Sequence, residues 1–292
     1  MGGAGARKAL VPPPAALLVL ARAALLEDVG RGDVTSRLTV DEDARALARF
    51  VAREELVVSG LEAARAVFFE AGAEIGFIGL AGEGERVPAG VVLAEVEGPA
   101  RRILAAERVA LNLVMRLSGI ATLTSRYAGA ITGTGARITD TRKTTPGLRN
   151  LEKAAVRAGG GTNHRAGLDD GVLIKDNHLA LAGGVTEAVR RARAGSPHLL
   201  KVEVEVESIE ALREALRAGA DVVLLDNMTP GEVRRCVELA RAESPGTLIE
   251  VSGNVNLETV REYAEAGPDL ISVGALTHSA PSADVSLEME PC

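Results

Sequence analysis

From Arg137 onward, short apolar runs alternate with segments of helical spacing, and this order constrains the chain more than any other feature. The runs lie at Arg137–Thr139, Val172–Lys175, Leu199–Val206, Asp221–Leu225, Leu248–Val251 and Leu270–Val273. Helical patterns fall between them at about Leu148–Ala158, Val185–Ala194, Ser208–Ala218 and Pro230–Ala242, and at Leu257–Ala266. Strand-then-helix order means a parallel sheet with crossover helices, because parallel neighbours cannot be joined by a tight turn. Helix ends are signalled locally. Thr229-Pro230-Gly231-Glu232 reads as a capping box with Pro at the first helical position. Ser208 and Asn256 suit N-caps, and Gly219 and Gly267 suit terminators. The short repeat from Glu203 to Asp221 suits a barrel, although six visible strands leave a doubly wound sheet open.

The first hundred or so residues lack that rhythm. Strands are expected within Ala44–Val58, a helix over Leu61–Ala71, and a turn feeding a strand within Glu85–Val96, a mixture typical of an α+β domain. A long helix over Ile103–Thr124 would bridge to the repeating part, with a bend at Ser118-Gly119. Ahead of all this, Arg7-Lys8 and an apolar run could be mistaken for a signal peptide. Pro12–Pro14 and Arg22 interrupt the run, so a disordered leader and an amphipathic helix over Ala15–Glu27 are expected instead. Aromatic residues make up only 2% and Trp is absent, which leaves little for base stacking; with a net charge of -7, nucleic-acid binding is disfavoured. Two cysteines without metal spacing or a disulfide framework point to a reducing cytoplasm, and no stretch suits a membrane span.

Polar residues collect where the strands end. Arg142-Lys143, His164-Arg165 and Lys175 make Thr139–His178 locally cationic within an acidic chain, which would suit a small multiply charged anion. Glu205 ends the third strand, Asp226 the fourth, Ser252-Gly253 the fifth and Gly274 the sixth. Alternation along Lys201-Val202-Glu203-Val204-Glu205 sends three charges to one face, and a structural ion-pair lattice explains that as well as catalysis does. Ser252-Gly253 reads either as a plain turn or as part of a barrel phosphate site. On residue types alone, Lys175 could serve a Schiff-base, aldolase-like lyase, and a non-catalytic barrel binding phosphosugars or other anions is a further alternative.

TRKTTPG from Thr141, GGGTNHR from Gly159 and LIKDNH from Leu173 resemble the signature of the quinolinate phosphoribosyltransferases, also called nicotinate-nucleotide pyrophosphorylases (carboxylating). EDVGRGDVTS, ERVALNLVMRLSGIAT, KVEVEV, LLDN and EVSGNV agree in the same order, so the similarity runs over nearly the whole chain. The resemblance implies an N-terminal α+β sandwich-type domain over residues 1–115, rejoined by 277–292, and an incomplete, seven-stranded parallel α/β barrel over 116–276. It also implies a Mg²⁺-dependent glycosyltransferase of NAD biosynthesis, joining quinolinate to phosphoribosyl pyrophosphate with loss of CO₂. Arg108, Arg142, His164, Arg165 and Lys175 would contact the quinolinate carboxylates. Lys143 would meet the phosphoribosyl pyrophosphate, Glu205 and Asp226 its ribose and the metal, and Ser252, Gly253 and Gly274 its 5-phosphate. Lys143, Lys175, Glu205 and Asp226 would carry the chemistry, while Lys201 and His278 fall in matching positions. A homodimer is implied, with Arg108 supplied by the neighbouring chain. Asn254 stands where some relatives have a second glycine.

Overall fold

The computed structural model describes residues 14–292; the leader expected ahead of Ala15 lies outside them. Two compact units are formed, one by the chain up to Ser118 with Ser282–Cys292, the other by Gly119–Pro281. The first unit opens with helices α1 (Ala15–Val29) and α2 (Val34–Thr39). α1 forms where expected but is not amphipathic: only Ala21 is buried, and Val19 and Leu26 stay exposed. The cause is its sequence, apolar all round from Ala15 to Leu26 save Arg22. Gly30 and Gly32 take positive φ in the loop that follows, and Asp33 then caps α2 by accepting from Ser36 N at 3.1 Å.

Next come β1 (Arg45–Ala52), β2 (Leu56–Val57), α3 (Leu61–Ala71), β3 (Gly76–Gly79), β4 (Arg86–Val87), β5 (Val92–Pro99) and α4 (Ala100–Ala130). Along β1, Ala46, Ala48 and Phe50 point to the core, while Arg45 and Arg49 point out to Glu97 and Glu95. Three of the chain's four phenylalanines, Phe50, Phe68 and Phe77, make the centre of this core, with ring centroids 6.0–6.3 Å apart. α4 is longer than its apolar face suggested and continues through Ser118-Gly119, where a bend was expected. Ser118 is a tether instead: its buried hydroxyl accepts from Ser59 N at 3.0 Å and donates to Ser59 O at 3.1 Å.

The second unit follows the alternating grammar: β6 (Arg137–Thr139), α5 (Arg149–Ala158), β7 (Val172–Ile174), α6 (Asp176–Ala182), α7 (Val185–Gly195), β8 (Val202–Val206), α8 (Ile209–Ala218), β9 (Val222–Asp226), α9 (Pro230–Glu243), β10 (Leu248–Ser252), α10 (Val260–Glu265), β11 (Leu270–Ser272) and α11 (Ala275–His278). Six strands pair in parallel in the order β6-β11-β10-β9-β8-β7. Seven strands were expected and six form; the segment beyond β6 pairs at one residue only, in a single parallel bridge from Thr139 to Thr162, too short to count as a strand. The barrel is incomplete. The Thr229 capping box and the Ser208 cap form as expected. Asn256 does not cap α10, whose N-cap is Thr259; its Oδ1 holds the preceding turn by accepting from Glu258 N and Thr259 N.

The last strand, β12 (Val285–Pro291), belongs to the first unit and completes its antiparallel sheet, in the order β12-β1-β5-β3. Among the described residues no helix is long and apolar enough to cross a membrane. Cys236 is buried and Cys292 exposed, both as free thiols.

Candidate active site

Parallel pairing brings the ends of the second unit's strands together, with Ser252 opposite Asp226 and Ser272 opposite Thr139. Lys175, just past β7, donates from Nζ to the Glu205 carboxylate on β8. His178 stabilises that strand-to-helix corner by accepting the Lys175 N–H at Nδ1, 3.0 Å away. Asp226 accepts from Asn227 Nδ2 at 2.7 Å. Gly253 (φ 88°) lies hard against Asn227: a Cβ there would sit 2.2 Å from Asn227 Oδ1. Asn227 and Asn254 both have φ of 55°, the left-handed region that asparagine tolerates best after glycine. That is why Asn254 can hold a position where the resemblance led a glycine to be expected. At Gly274 a Cβ would meet Lys143 Cδ at 3.1 Å and the His278 ring at 3.2 Å, so these three crowd one corner. Thr277 fixes it, donating from its hydroxyl to Lys143 O at 2.8 Å.

A second group is organised by Asp140, which is fully buried after β6. Its Oδ1 accepts from Lys153 Nζ at 2.5 Å and from His164 N at 2.8 Å, and its Oδ2 from Asn163 Nδ2 at 2.7 Å. Lys153 also donates to His164 O at 2.8 Å. The His164-Arg165 loop is thereby pinned to β6 and α5 through its main chain. Arg165 spends Nη1 on Gly171 O at 3.0 Å, but its buried Nε and that of Arg142 have no acceptor. Burial and the charge of Arg142 pull the Arg165 guanidinium below its usual value, against Glu203 and Asp170. Two guanidinium groups with buried N–H donors unspent suit an anionic ligand.

Behind Arg165, His164 donates from Nε2 to Glu203 at 2.9 Å, with Glu250 at 3.8 Å. Its Nδ1 accepts from Arg165 N at 2.7 Å. Burial of the ring disfavours its charged form, but the Glu203 hydrogen bond and the charges of Glu203 and Glu250 outweigh this and raise its pKa. His164, Glu203 and Glu250 are grouped closely enough to suggest a metal site. The Nδ1 bond argues otherwise, because it leaves the ring proton on Nε2 and no lone pair there for an ion.

A cavity of about 750 Å³ reaches this cluster, lined by Lys153, His164, Arg165, Lys201, Glu203 and Glu250 among others. Its remaining wall includes Arg137, Val172, Val222, Leu248 and Leu270, which begin their strands or lie near their starts. Of the residues singled out in the sequence, His164, Arg165 and Lys201 line it, whereas Lys143, Lys175, Glu205 and Asp226 gather at the strand ends. Arg108 belongs to the first unit, exposed on α4.

Residues 33–118 match the N-terminal domain of quinolinate phosphoribosyl transferase, and residues 120–288 its C-terminal domain. This chain is a member of the quinolinate phosphoribosyltransferase family. Within the family it is 44% identical over 264 residues to a probable nicotinate-nucleotide pyrophosphorylase (carboxylating) of Bacillus subtilis, covering 90% of each chain. It is 43% identical to the Mycobacterium leprae enzyme of that name, over 92% of this chain and 95% of the other. The solved nicotinate-nucleotide pyrophosphorylase of Francisella tularensis superposes with a TM-score of 0.89 at 38% identity, covering 94% of this chain and 96% of the other. The family assignment removes the aldolase-like reading of Lys175.

Asp140, Lys153, Asn163 and Glu250 had been given no part by the sequence. Glu250 carried a signal, being an acid inside the apolar run Leu248–Val251. Asp140 carried one too, since it directly follows an apolar strand and precedes the Arg142-Lys143 pair.

Proposed function

We propose that this protein transfers the phosphoribosyl group of phosphoribosyl pyrophosphate to quinolinate, giving nicotinate mononucleotide, pyrophosphate and CO₂. Membership of the family carries the reaction class. The observation in the site that favours a dicarboxylate is the Arg142 and Arg165 pair, whose buried Nε donors have no partner in the protein. Lys175 joins them as a quinolinate ligand, His164, with both ring nitrogens held by Glu203 and Arg165 N, lends its ring to the pocket wall, and Arg108 is supplied by a second copy of the chain. Lys143 meets the pyrophosphate of the donor. Ser252, Gly253 and Gly274 hold its 5-phosphate, the glycines letting backbone approach closely.

As the quinolinate nitrogen attacks the ribose carbon and the bond to pyrophosphate breaks, positive charge grows on the sugar. The Glu205 and Asp226 carboxylates stabilise it. Their oxygens, at the ends of adjacent strands β8 and β9, are also the donor type that Mg²⁺ accepts. A bound Mg²⁺ would supply charge neutralisation for the departing pyrophosphate. Once alkylated, the positively charged pyridinium nitrogen stabilises the electron pair left on the adjacent ring carbon as its carboxylate leaves as CO₂, and that carbon then takes up a proton from solvent. Little acid-base machinery is then required, in keeping with a site rich in Arg and Lys.

Pyrophosphate release coupled to an indicator reaction, with quinolinate and separately with nicotinate, tests this reading. A monocarboxylate would leave cations unpaired in a desolvated pocket, at a cost on the order of a few kcal/mol. Quinolinate should therefore have the higher kcat/KM by at least about a hundredfold. Equal values for the two acids would refute the assignment.

A further inference from the structure

Two carboxyl groups face each other beneath His164. Glu203 on β8 is 6% exposed and Glu250 on β10 is 2% exposed, and Oε1 of each is buried without a hydrogen-bond partner. Holding both as anions at such proximity and burial would be costly, because the His164 ring and the Ser272 hydroxyl offset the burial and mutual repulsion of two carboxylates only in part. His164 does not resolve the conflict. Its Nε2–H goes to Glu203 Oε2 at 2.9 Å, and Glu250 Oε1 is 3.8 Å from the same nitrogen. Of the other charges nearby, Asp140 is bound to Lys153, and Arg165, whose Nε is unspent, makes no ion pair with Glu250 among the described residues. Lys201 and Arg137 line the cavity but make no ion pair with Glu250 among the described residues. The Ser272 hydroxyl of β11 has two acceptors in reach, Val251 O at 3.2 Å and the Glu250 carboxylate, whose charged form it favours less strongly than burial and Glu203 oppose it. A divalent cation would need the Nε2 lone pair, which the Arg165 N–H at Nδ1 denies it. A proton needs only the two carboxyl groups, which offer oxygens within 4.8 Å of one another.

We propose that Glu250 is held as the neutral acid, its proton bridging to Glu203, and that the pair act as positioning residues for His164. Glu203 then fixes the ring through Nε2, and the proton on Glu250 keeps a second negative charge from standing behind the dicarboxylate pocket. Burial first, and then the charge of Glu203, push the Glu250 carboxyl up to about 7, against the pull of His164. The sign for binding follows. Glu250 is protonated below about 7 and ionises above it, so quinolinate binding weakens as pH rises through neutrality. By linkage, binding of the dianion takes up a proton. This rests on the quinolinate reading above.

The test is calorimetric binding of quinolinate alone to the full-length protein between pH 6 and pH 8.5, where quinolinate's own carboxylates stay ionised. Wild-type affinity should fall at least about fivefold, as expected for one charge appearing near a bound dianion. Glu250→Gln mimics the neutral acid and can still donate to Glu203, so it should keep the pH 6 affinity and lose most of that fall. Proton uptake at pH 7.5, read from buffers of different ionisation enthalpy, should shrink in the same variant. A Glu250→Gln affinity that tracks wild type across the range would overturn the proposal. So would a tenfold loss already at pH 6, since the charge itself would then be needed. Absence of quinolinate binding by wild type at every pH would instead overturn the substrate reading, and this inference with it.

Discussion

Replacing Lys153 with methionine should unsettle the second unit more than any surface change, because the ammonium it removes is almost wholly enclosed. The Lys153 and Asp140 side chains are 4% and 0% exposed, and their atoms approach to 2.5 Å. Removing one member of such a pair strands the other charge, at a cost of about 3–5 kcal/mol. Asp140 would keep two donors, Asn163 Nδ2 and His164 N, which places the expectation near 3 kcal/mol. For a unit of this size each kcal/mol moves Tm by about 2–4 °C, so Lys153→Met should lower it by about 6–12 °C. Circular dichroism on heating the full chain reads this directly. Pairing the change with Asp140→Asn, which retains an acceptor but no charge, should cost less than the two singles added. The coupling should be about 1–3 kcal/mol. A Tm loss under about 2 °C, or strict additivity of the two changes, would refute the claim that this ion pair holds the loop.

Lys143→Ala should weaken calorimetric binding of phosphoribosyl pyrophosphate and leave binary quinolinate affinity nearly intact; the reverse pattern would exchange the two assignments. Mixing inactive Arg108→Ala with inactive Lys175→Ala protein should restore part of the activity, since a heterodimer has one site with both residues. No recovery despite demonstrated subunit exchange would place Arg108 in its own chain's site or in none. Gly253→Ala forces a Cβ to within 2.2 Å of Asn227 Oδ1 at a φ of 88°. It should raise the KM for phosphoribosyl pyrophosphate about tenfold or more and cost about 1–3 kcal/mol of stability, measured by initial rates and urea unfolding.

The second unit was legible because its signals are local. Apolar runs, caps and terminators each sit within a few residues, and β6, α5 and α8 formed within one or two residues of expectation. α6 escaped because Asp176–Ala182 is short and its start is set by the His178 side chain reaching back to Lys175 N. The strand-end residues were legible by position alone. The layer beneath them was not, because Asp140 meets Lys153 only once α5 has packed back beside the end of β6, and Glu203 meets Glu250 only through the parallel register of β8, β9 and β10. Sequence alternation put Glu203 on an inward face but could not say which residue stood opposite it.

The antiparallel sheet of the first unit joins strands that lie far apart along the chain, and this sets a timetable for synthesis. β1 emerges early, but its partner β12 comes last, pairing Ala46 with Pro291 and Ala52 with Val285. At translation rates of about 5–20 residues per second, β1 waits roughly ten to fifty seconds with one edge open. An open edge invites pairing with other nascent chains. Arg45 and Arg49 are already matched by Glu97 and Glu95 of β5, but Arg53, just beyond the strand, keeps its charge uncompensated and opposes stacking of two such edges until Glu288 arrives to pair with it. A charge that decorates the finished sheet therefore also guards the unfinished one.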